Sequence, residues 1–334
     1  MSRVSKSNEL LRFSERGIYC PPADVYIDPW RPVDRAIITH GHSDHARAGH
    51  GHYLAHRFTT AIMKHRLGEG LSYQSVDYGD SVNINGVTFT FIPAGHILGS
   101  CQLRIEYKGH IGVVSGDYKL EDDGISGCYE PIPCHTLITE CTFGLPLFNW
   151  KEDHLVKEEL NTWVKENALS GKNSVLLGYS LGKAQRLQHM LETDLPIYVH
   201  GAVHHMNAIY EHCGISLPPT IYPQDTKKPE GPCVVIAPPS VLGTPWLRKF
   251  APFASSMASG WMSLRGPRRR RSVDKGFVLS DHMDWKGLHT VMDETRPERV
   301  ICTHGYTDIF AQYLREQGIE AITEKTEFET EQTE

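Results

Sequence analysis

Short apolar runs, each closed by glycine, proline or a polar cluster, set the texture of the first part of the chain. Residues 36–39 (AIIT), 87–92 (VTFTFI), 103–107 (LRIEY), 111–114 (IGVV) and 137–140 (LITE) predict strands with polar residues in the loops at their ends. The texture changes after Trp150. Residues 153–168 predict a helix, 173–180 (NSVLLGYS) a strand, and 181–192 (LGKAQRLQHMLE) a helix with Ala184, Leu187 and Leu191 on one face. With the buried-type runs 197–201 and 233–239, this forms an alternating β/α block, expected to carry its own parallel sheet. A strand at 276–280, a helix from Asp284 to Glu294 with Trp285, Leu288 and Met292 inward, and a strand at 299–305 then return to the first pattern. The acidic, polar last ten residues read as a frayed tail.

Composition narrows the class. The 334 residues are 40% hydrophobic and 22% charged, with a net charge of −6, as in a soluble globular protein. No apolar run approaches the ~20 residues that cross a bilayer. The N-terminal stretch MSRVSKSNELLRFSERG has no apolar segment of signal type. A membrane-spanning or exported protein is therefore not expected, and a cytoplasmic one is. The eight cysteines form no C-x-x-C pair, so they read as reduced, mostly buried thiols and not as a zinc ribbon. Histidine stands out at 19 residues, which raises the question of whether a subset has ligand spacing.

One subset does. His40, His42, Asp44 and His45 put four ligand-type side chains within six residues, directly after a buried strand. His40 and His42, two apart on an extended strand end, point to one side. A helix starting at Ala46 would aim Asp44 and His45 into the same pocket. Three later sites repeat the arrangement of apolar strand, turn and ligand: His96 in PAGHILGS, Asp117 in VVSGD and His304 in ICTHG. Each alone would be a bland turn residue; together with the first cluster each reads as a metal ligand. His50, His52 and His56 read as helix surface or as support around the ligands.

This pattern resembles the metallo-β-lactamase fold, whose H-x-H-x-D-H signature is matched by His40, His42, Asp44 and His45. The resemblance implies an α/β (α+β) chain folded as an αββα sandwich with two metal ions at its rim. One ion would be held by His40, His42 and His96, the other by Asp44, His45 and His304, with Asp117 bridging. Asp28, in YIDPW, would orient ligands from behind. Mixed imidazole and carboxylate suits two Zn²⁺ best, with Mn²⁺ or Fe as alternatives. Two ions about 3.5–4 Å apart make a water nucleophile available at neutral pH, so the reaction class is hydrolysis.

The middle block selects among hydrolases. NSVLLGYSLGKAQRLQHML resembles the β-CASP cap inserted in metallo-β-lactamase nucleases, and Glu140, His282 and His304 match that family's motifs. The implied domains are 1–145 and 273–334 for the metallo-β-lactamase part and 146–272 for the cap. A departing alkoxide needs a proton, which a histidine held by a carboxylate can supply, so His282 is assigned as general acid or phosphate clamp with Glu140 as its partner. Asp44 joins them as a catalytic carboxylate. The basic run Arg265 and Arg268, Arg269, Arg270 and Arg271, and more weakly Lys183 and Arg186, are candidate phosphate contacts.

The stretches ITHGHSDHA and GWMSLRGPRRRRSVDKGFVLSDHMDW are most similar to the bacterial ligase-associated DNA exonucleases. The implied function is removal of nucleotides from single-stranded DNA or DNA ends during repair, alongside an ATP-dependent DNA ligase and a helicase. A histidine at the position of His304 is commoner among RNA-cleaving members, so an RNA-processing nuclease is the alternative. A catalytically silent binding subunit is disfavoured by the intact ligand set, and a thioesterase by the cap and the arginine run.

Overall fold

A computed structural model describes residues 9–223, 229–266 and 273–327. The chain divides into two compact units, one from the described residues of Met1–Leu147 and His282–Gln332, the other from those of Phe148–Asp281.

The first unit holds two sheets. Strands β1 (Arg12–Ser14), β2 (Gly17–Cys20), β3 (Val25–Ile27), β4 (Arg35–Ile38), β5 (His52–His56) and β6 (Tyr73–Val76) pair in that order, with helix α1 (Arg57–Leu67) between the last two. The second sheet comprises β7 (Ser81–Ile84), β8 (Val87–Pro93), β9 (Cys101–Tyr107), β10 (His110–Val114) and β11 (Thr136–Cys141). It is completed by strands Arg299–Gly305 and Glu320–Thr323, which pair beyond β11.

The period-two alternation of side chains sorts the core. Ile27, Ile37 and Leu54 of the first sheet pack against Phe89, Phe91, Leu103 and Ile105 of the second. On the outer face of the first sheet, Ile38, Tyr53 and Ala55 meet Met63 of α1. On the outer face of the second, Leu137, Val300 and Cys302 meet Leu288, Val291, Phe310 and Leu314 of helices Trp285–Thr295 and Thr307–Glu316. The layers therefore run helix, sheet, sheet, helix: the αββα sandwich of the metallo-β-lactamase fold.

The second unit contains α2 (Asp153–Leu169), β12 (Asn173–Leu177), α3 (Lys183–Met190), β13 (Ile197–Val199), α4 (Gly201–His212), β14 (Val234–Ala237), the short α5 (Pro245–Arg248), β15 (Phe253–Ala258) and β16 (Lys275–Phe277). Its sheet runs β13-β14-β12-β15-β16 with every pair parallel. Leu176, Val234 and Ile236 are buried under Val156, Leu160, Leu187 and Val203 of the flanking helices. Because β16 pairs with β15, this unit extends past residue 272 to Asp281, later than the boundary read from the sequence. The closing elements of the first unit are then α6 (Trp285–Thr295), β17 (Arg299–Gly305), α7 (Thr307–Glu316) and β18 (Glu320–Thr323).

The sequence reading misses the polar edge strands β1, β6 and β7, whose half-exposed residues carry little apolar alternation. It also places a helix at Ala46 where there is none. A single turn stands there, closed by the Ala46 N–H donating to the His42 carbonyl at 2.8 Å, and the helix begins at Arg57. Among the described residues, no helix is long and apolar enough to cross a membrane.

Candidate metal centre

Five strand ends of the first unit converge. β4 leads through Thr39 to His40, β8 through Gly95 to His96, and β10 through Gly116 to Asp117, while β11 carries Glu140 and β17 carries His304. Gly116 has φ +56°, and a Cβ there would lie 2.8 Å from the Thr39 side chain. Glycine is what lets the Asp117 loop lie against the residue preceding His40.

Asp117 is the hub. Its Oδ2 lies 3.4 Å from His40 Nε2, 3.5 Å from His45 Nε2 and 3.7 Å from His96 Nε2. Ligand atoms of His40, His42, His96 and Asp117 lie within 4.8 Å of one another, as do those of His40, Asp44 and His45. His304 stands apart from both groups; its ring stacks on that of His45 at 5.8 Å, and it lines one cavity with Asp44, His45 and Asp117. Asp28 sits behind the cluster. It accepts the Thr39 N–H at 2.8 Å, the Thr39 hydroxyl at 2.6 Å and His45 Nδ1–H at 2.7 Å. The last bond holds the His45 ring with Nε2 turned toward Asp117. Thr39 is a contributor the sequence reading passed over, although a hydroxyl next to a strand-end histidine is a usable signal.

The electrostatics follow from burial and crowding. Burial, with His45 and His96 adding to it, holds His40 well below the usual imidazole range. Burial also lowers His304 to about 4. Burial alone would lower His45, but Asp117, Asp44 and Asp28 outweigh it and raise the group to about 10. Burial raises Asp117 to about 6. For Asp44 the burial penalty is overcome by His45 and His42, so its carboxyl is held below the ordinary value.

The donor set fits a divalent cation. His40 Nε2 is buried and has no hydrogen-bond partner among the described residues, which a bound cation would satisfy. Imidazoles mixed with carboxylates are the ligand chemistry of zinc and related metals. Of the two triads that the resemblance implies, His40, His42 and His96 come together with Asp117, and Asp44 and His45 come together beside His40, while His304 lies outside that grouping.

Beside the cluster, Glu140 Oε1 accepts from His282 Nδ1 at 3.0 Å, and Glu140 Oε2 accepts the Thr142 N–H at 2.8 Å. Both side chains are buried. Burial would raise Glu140, yet the His282 imidazole and the Thr142 amide hold it below the usual range. The His282 ring lies 4.8 Å from that of His96, so the pair adjoins the candidate ligands.

Other residues fall elsewhere than the sequence suggests. Lys183 and Arg186 are not surface phosphate contacts: they are 1% and 2% exposed. Lys183 Nζ meets Asp281 Oδ2 at 3.0 Å, and Arg186 bridges Asp281 at 2.7 Å and Asp153 at 2.6 Å. Their acidic partners neutralise them inside the second unit, a pairing invisible in sequence because Asp281 lies far along the chain. Lys183→Met leaves Asp281 paired with Arg186 but takes the donor from the Leu279 carbonyl, so it should cost about 1–3 kcal/mol, read in urea unfolding, and leave the salt dependence of nucleic-acid binding unchanged. Arg265 is exposed, and Arg268, Arg269, Arg270 and Arg271 lie outside the described residues.

His50 and His56 are buried rather than on a helix surface, and their Nδ1 atoms accept the N–H groups of Val33 and Phe58, each at 3.3 Å. Burial lowers both to about 4. The unfolded chain therefore takes up protons at these positions below pH ~6.5 while the folded chain does not. Their stabilising contribution is present above that pH and lost as pH falls toward 4. Thermal unfolding of chelator-treated protein should shift downward across that window, and the shift should shrink in the double variant His50→Gln, His56→Gln. An equal shift in the double variant would assign the effect to other groups.

No family model matches the chain. A protein of Opitutus terrae described as a probable DNA ligase is 33% identical over 317 residues, covering 93% of this chain and 30% of its own length. Endoribonuclease YSH1 of Mycosarcoma maydis is 24% identical over 374 residues, covering 83% of this chain and 41% of its own. This chain thus spans well under half the length of either relative. A crystal structure of an Enterococcus faecalis protein of unknown function superposes with a TM-score of 0.56 at 12% identity, over 80% of this chain and 74% of that one, a likeness of fold alone. With the αββα sandwich and its strand-end histidines, these relatives identify the family: the chain belongs to the metallo-β-lactamase fold, in its β-CASP nuclease family.

Proposed function

We propose that the chain is a metal-dependent phosphodiesterase acting on nucleic acid, with DNA ends as substrate, working in DNA repair beside an ATP-dependent ligase and a helicase. The observation that carries the hydrolytic part is Asp117, whose one carboxylate oxygen stands within 3.7 Å of imidazoles from both candidate triads. When bound, two divalent ions, Zn²⁺ or Mn²⁺, supply Lewis acidity toward the phosphoryl group and activate water.

The chain's own groups do the rest. Asp28 holds the His45 ring in place, and Asp117 spans the two triads. Glu140 accepts from His282 Nδ1–H and so orients the ring; the imidazolium form, protonated on both nitrogens, would give its Nε2 proton to the departing oxygen and keep Nδ1–H on Glu140. The Phe143 ring stands edge-to-face with that of His282, with centroids 6.3 Å apart.

The DNA reading is supported by the probable DNA ligase of Opitutus terrae, which aligns with nearly the whole chain. The similarity to an endoribonuclease favours RNA as the second reading. Digestion of 5′- and 3′-labelled DNA and RNA of one sequence, with Zn²⁺ or Mn²⁺ added, decides. Progressive shortening of DNA supports the proposal, and cleavage of RNA alone replaces it. Replacing Arg268–Arg271 by serine should reduce the salt slope of single-strand binding by up to about 0.7 for each phosphate no longer neutralised. An unchanged slope leaves that run a solvated segment.

A further inference from the structure

Outside the ligands, one buried charge stands against the loops that carry them. Lys119 is fully buried, two residues after Asp117. Its Nζ donates to Asp123 Oδ2 at 2.9 Å and to the carbonyl of Gly95, the residue before His96. Asp123 is held in turn: its Oδ1 accepts the N–H groups of Ile125 at 3.0 Å and Ser126 at 2.8 Å, and its Oδ2 accepts the Ser126 hydroxyl at 2.8 Å.

The two loops also touch through backbone. The Lys119 N–H donates to the Ala94 carbonyl at 3.1 Å, and Gly95 bridges Tyr118 in antiparallel fashion. Gly95 has φ +76°, and a Cβ there would lie 2.6 Å from the Lys119 carbonyl oxygen, so the approach admits glycine only. Residues 94–96 and 117–119 thus run side by side in opposite directions, which places His96 and Asp117 at the same end, 3.7 Å apart at Nε2 and Oδ2.

A buried ion pair is an expensive way to fill space, since well-packed apolar residues do so at equal or better stability. Removing the pair would leave the Gly95 carbonyl without its donor, one peptide from a candidate ligand.

We infer that Lys119 is a positioning residue of the metal centre: anchored on Asp123, its ammonium draws the Gly95 carbonyl to the Asp117 loop and thereby fixes the spacing between the His96 imidazole and the Asp117 carboxylate. The inference rests on the reading of that cluster as a metal site. It places Lys119 behind the ligands, in contact with neither ion nor substrate. Groups that orient ligands in this way commonly govern metal affinity by about 10–100-fold.

The test is equilibrium titration of the full chain with Zn²⁺ and Mn²⁺ against a chromophoric chelator, alongside thermal unfolding of the metal-free protein. Lys119→Met removes the donor, and Lys119→Met with Asp123→Asn removes both charges, so that no unpaired carboxylate remains. The wild type should take up two ions. The double variant should keep metal-free unfolding close to wild type while at least one ion binds about 10–100-fold more weakly, and excess metal should restore turnover. Wild-type affinity for both ions in the double variant overturns the inference, as does failure of both metal-free variants to fold, which would make the pair a requirement of folding. Absence of metal binding by the wild type would instead overturn the underlying reading of the site.

Discussion

Replacing Asp117 by alanine should abolish phosphodiester hydrolysis, lowering turnover by more than about 10³-fold, or roughly 4 kcal/mol of barrier. The size follows from position. Asp117 Oδ2 lies between the two candidate triads, within 3.4–3.7 Å of His40, His45 and His96, so its loss strips a donor from both at once. The variant should therefore retain less metal per chain than wild type, read by elemental analysis after gel filtration. Asp117→Asn, with similar shape and no charge, should fail nearly as badly. Turnover near the wild-type rate in either variant would remove the bridging role.

His282→Ala should lower kcat by about 10²–10⁴-fold with KM changed only a few-fold, the pattern of a group that acts in the transition state. The Glu140 contact is what would hold His282 in place for that role. A buried carboxylate 3.0 Å from Nδ1, itself fixed by the Thr142 amide, orients the imidazole. Glu140→Gln should give a smaller loss in the same parameter. The wild-type kcat should decline at high pH as the acid loses its proton, and the His282→Ala profile should lack that decline. A rise in KM with kcat preserved would make His282 a phosphate clamp instead.

The ligand cluster is legible in the sequence because four donor side chains in six residues, after a buried strand, have no packing explanation. His96 and Asp117, each following an apolar run that places it at a strand end, are brought to that cluster by the fold, while His304, read from the same pattern, reaches it only through the ring of His45. Three-dimensional partnership is not legible. Lys183 and Arg186 read as exposed helix charges, yet Asp281 and Asp153 bury them. The tight turn after His42 reads as a helix start because polar turn residues and helix caps share a composition. Edge strands such as β6 and β7 escape because one paired side demands little hydrophobic alternation. Lys119 and Asp123 show the limit most plainly: in YKLEDD they look like solvated charges, and only the fold brings the ammonium against Gly95.

The central claim is a pair of ions held where separate strands end. Crystals of the full chain grown with Zn²⁺ or Mn²⁺, measured at the metal's absorption edge, test it directly. The account predicts two anomalous peaks about 3.5–4 Å apart, one among His40, His42 and His96 and one among Asp44, His45 and His304, with Asp117 touching both. A single peak at saturating metal, or peaks remote from Asp117, would contradict it.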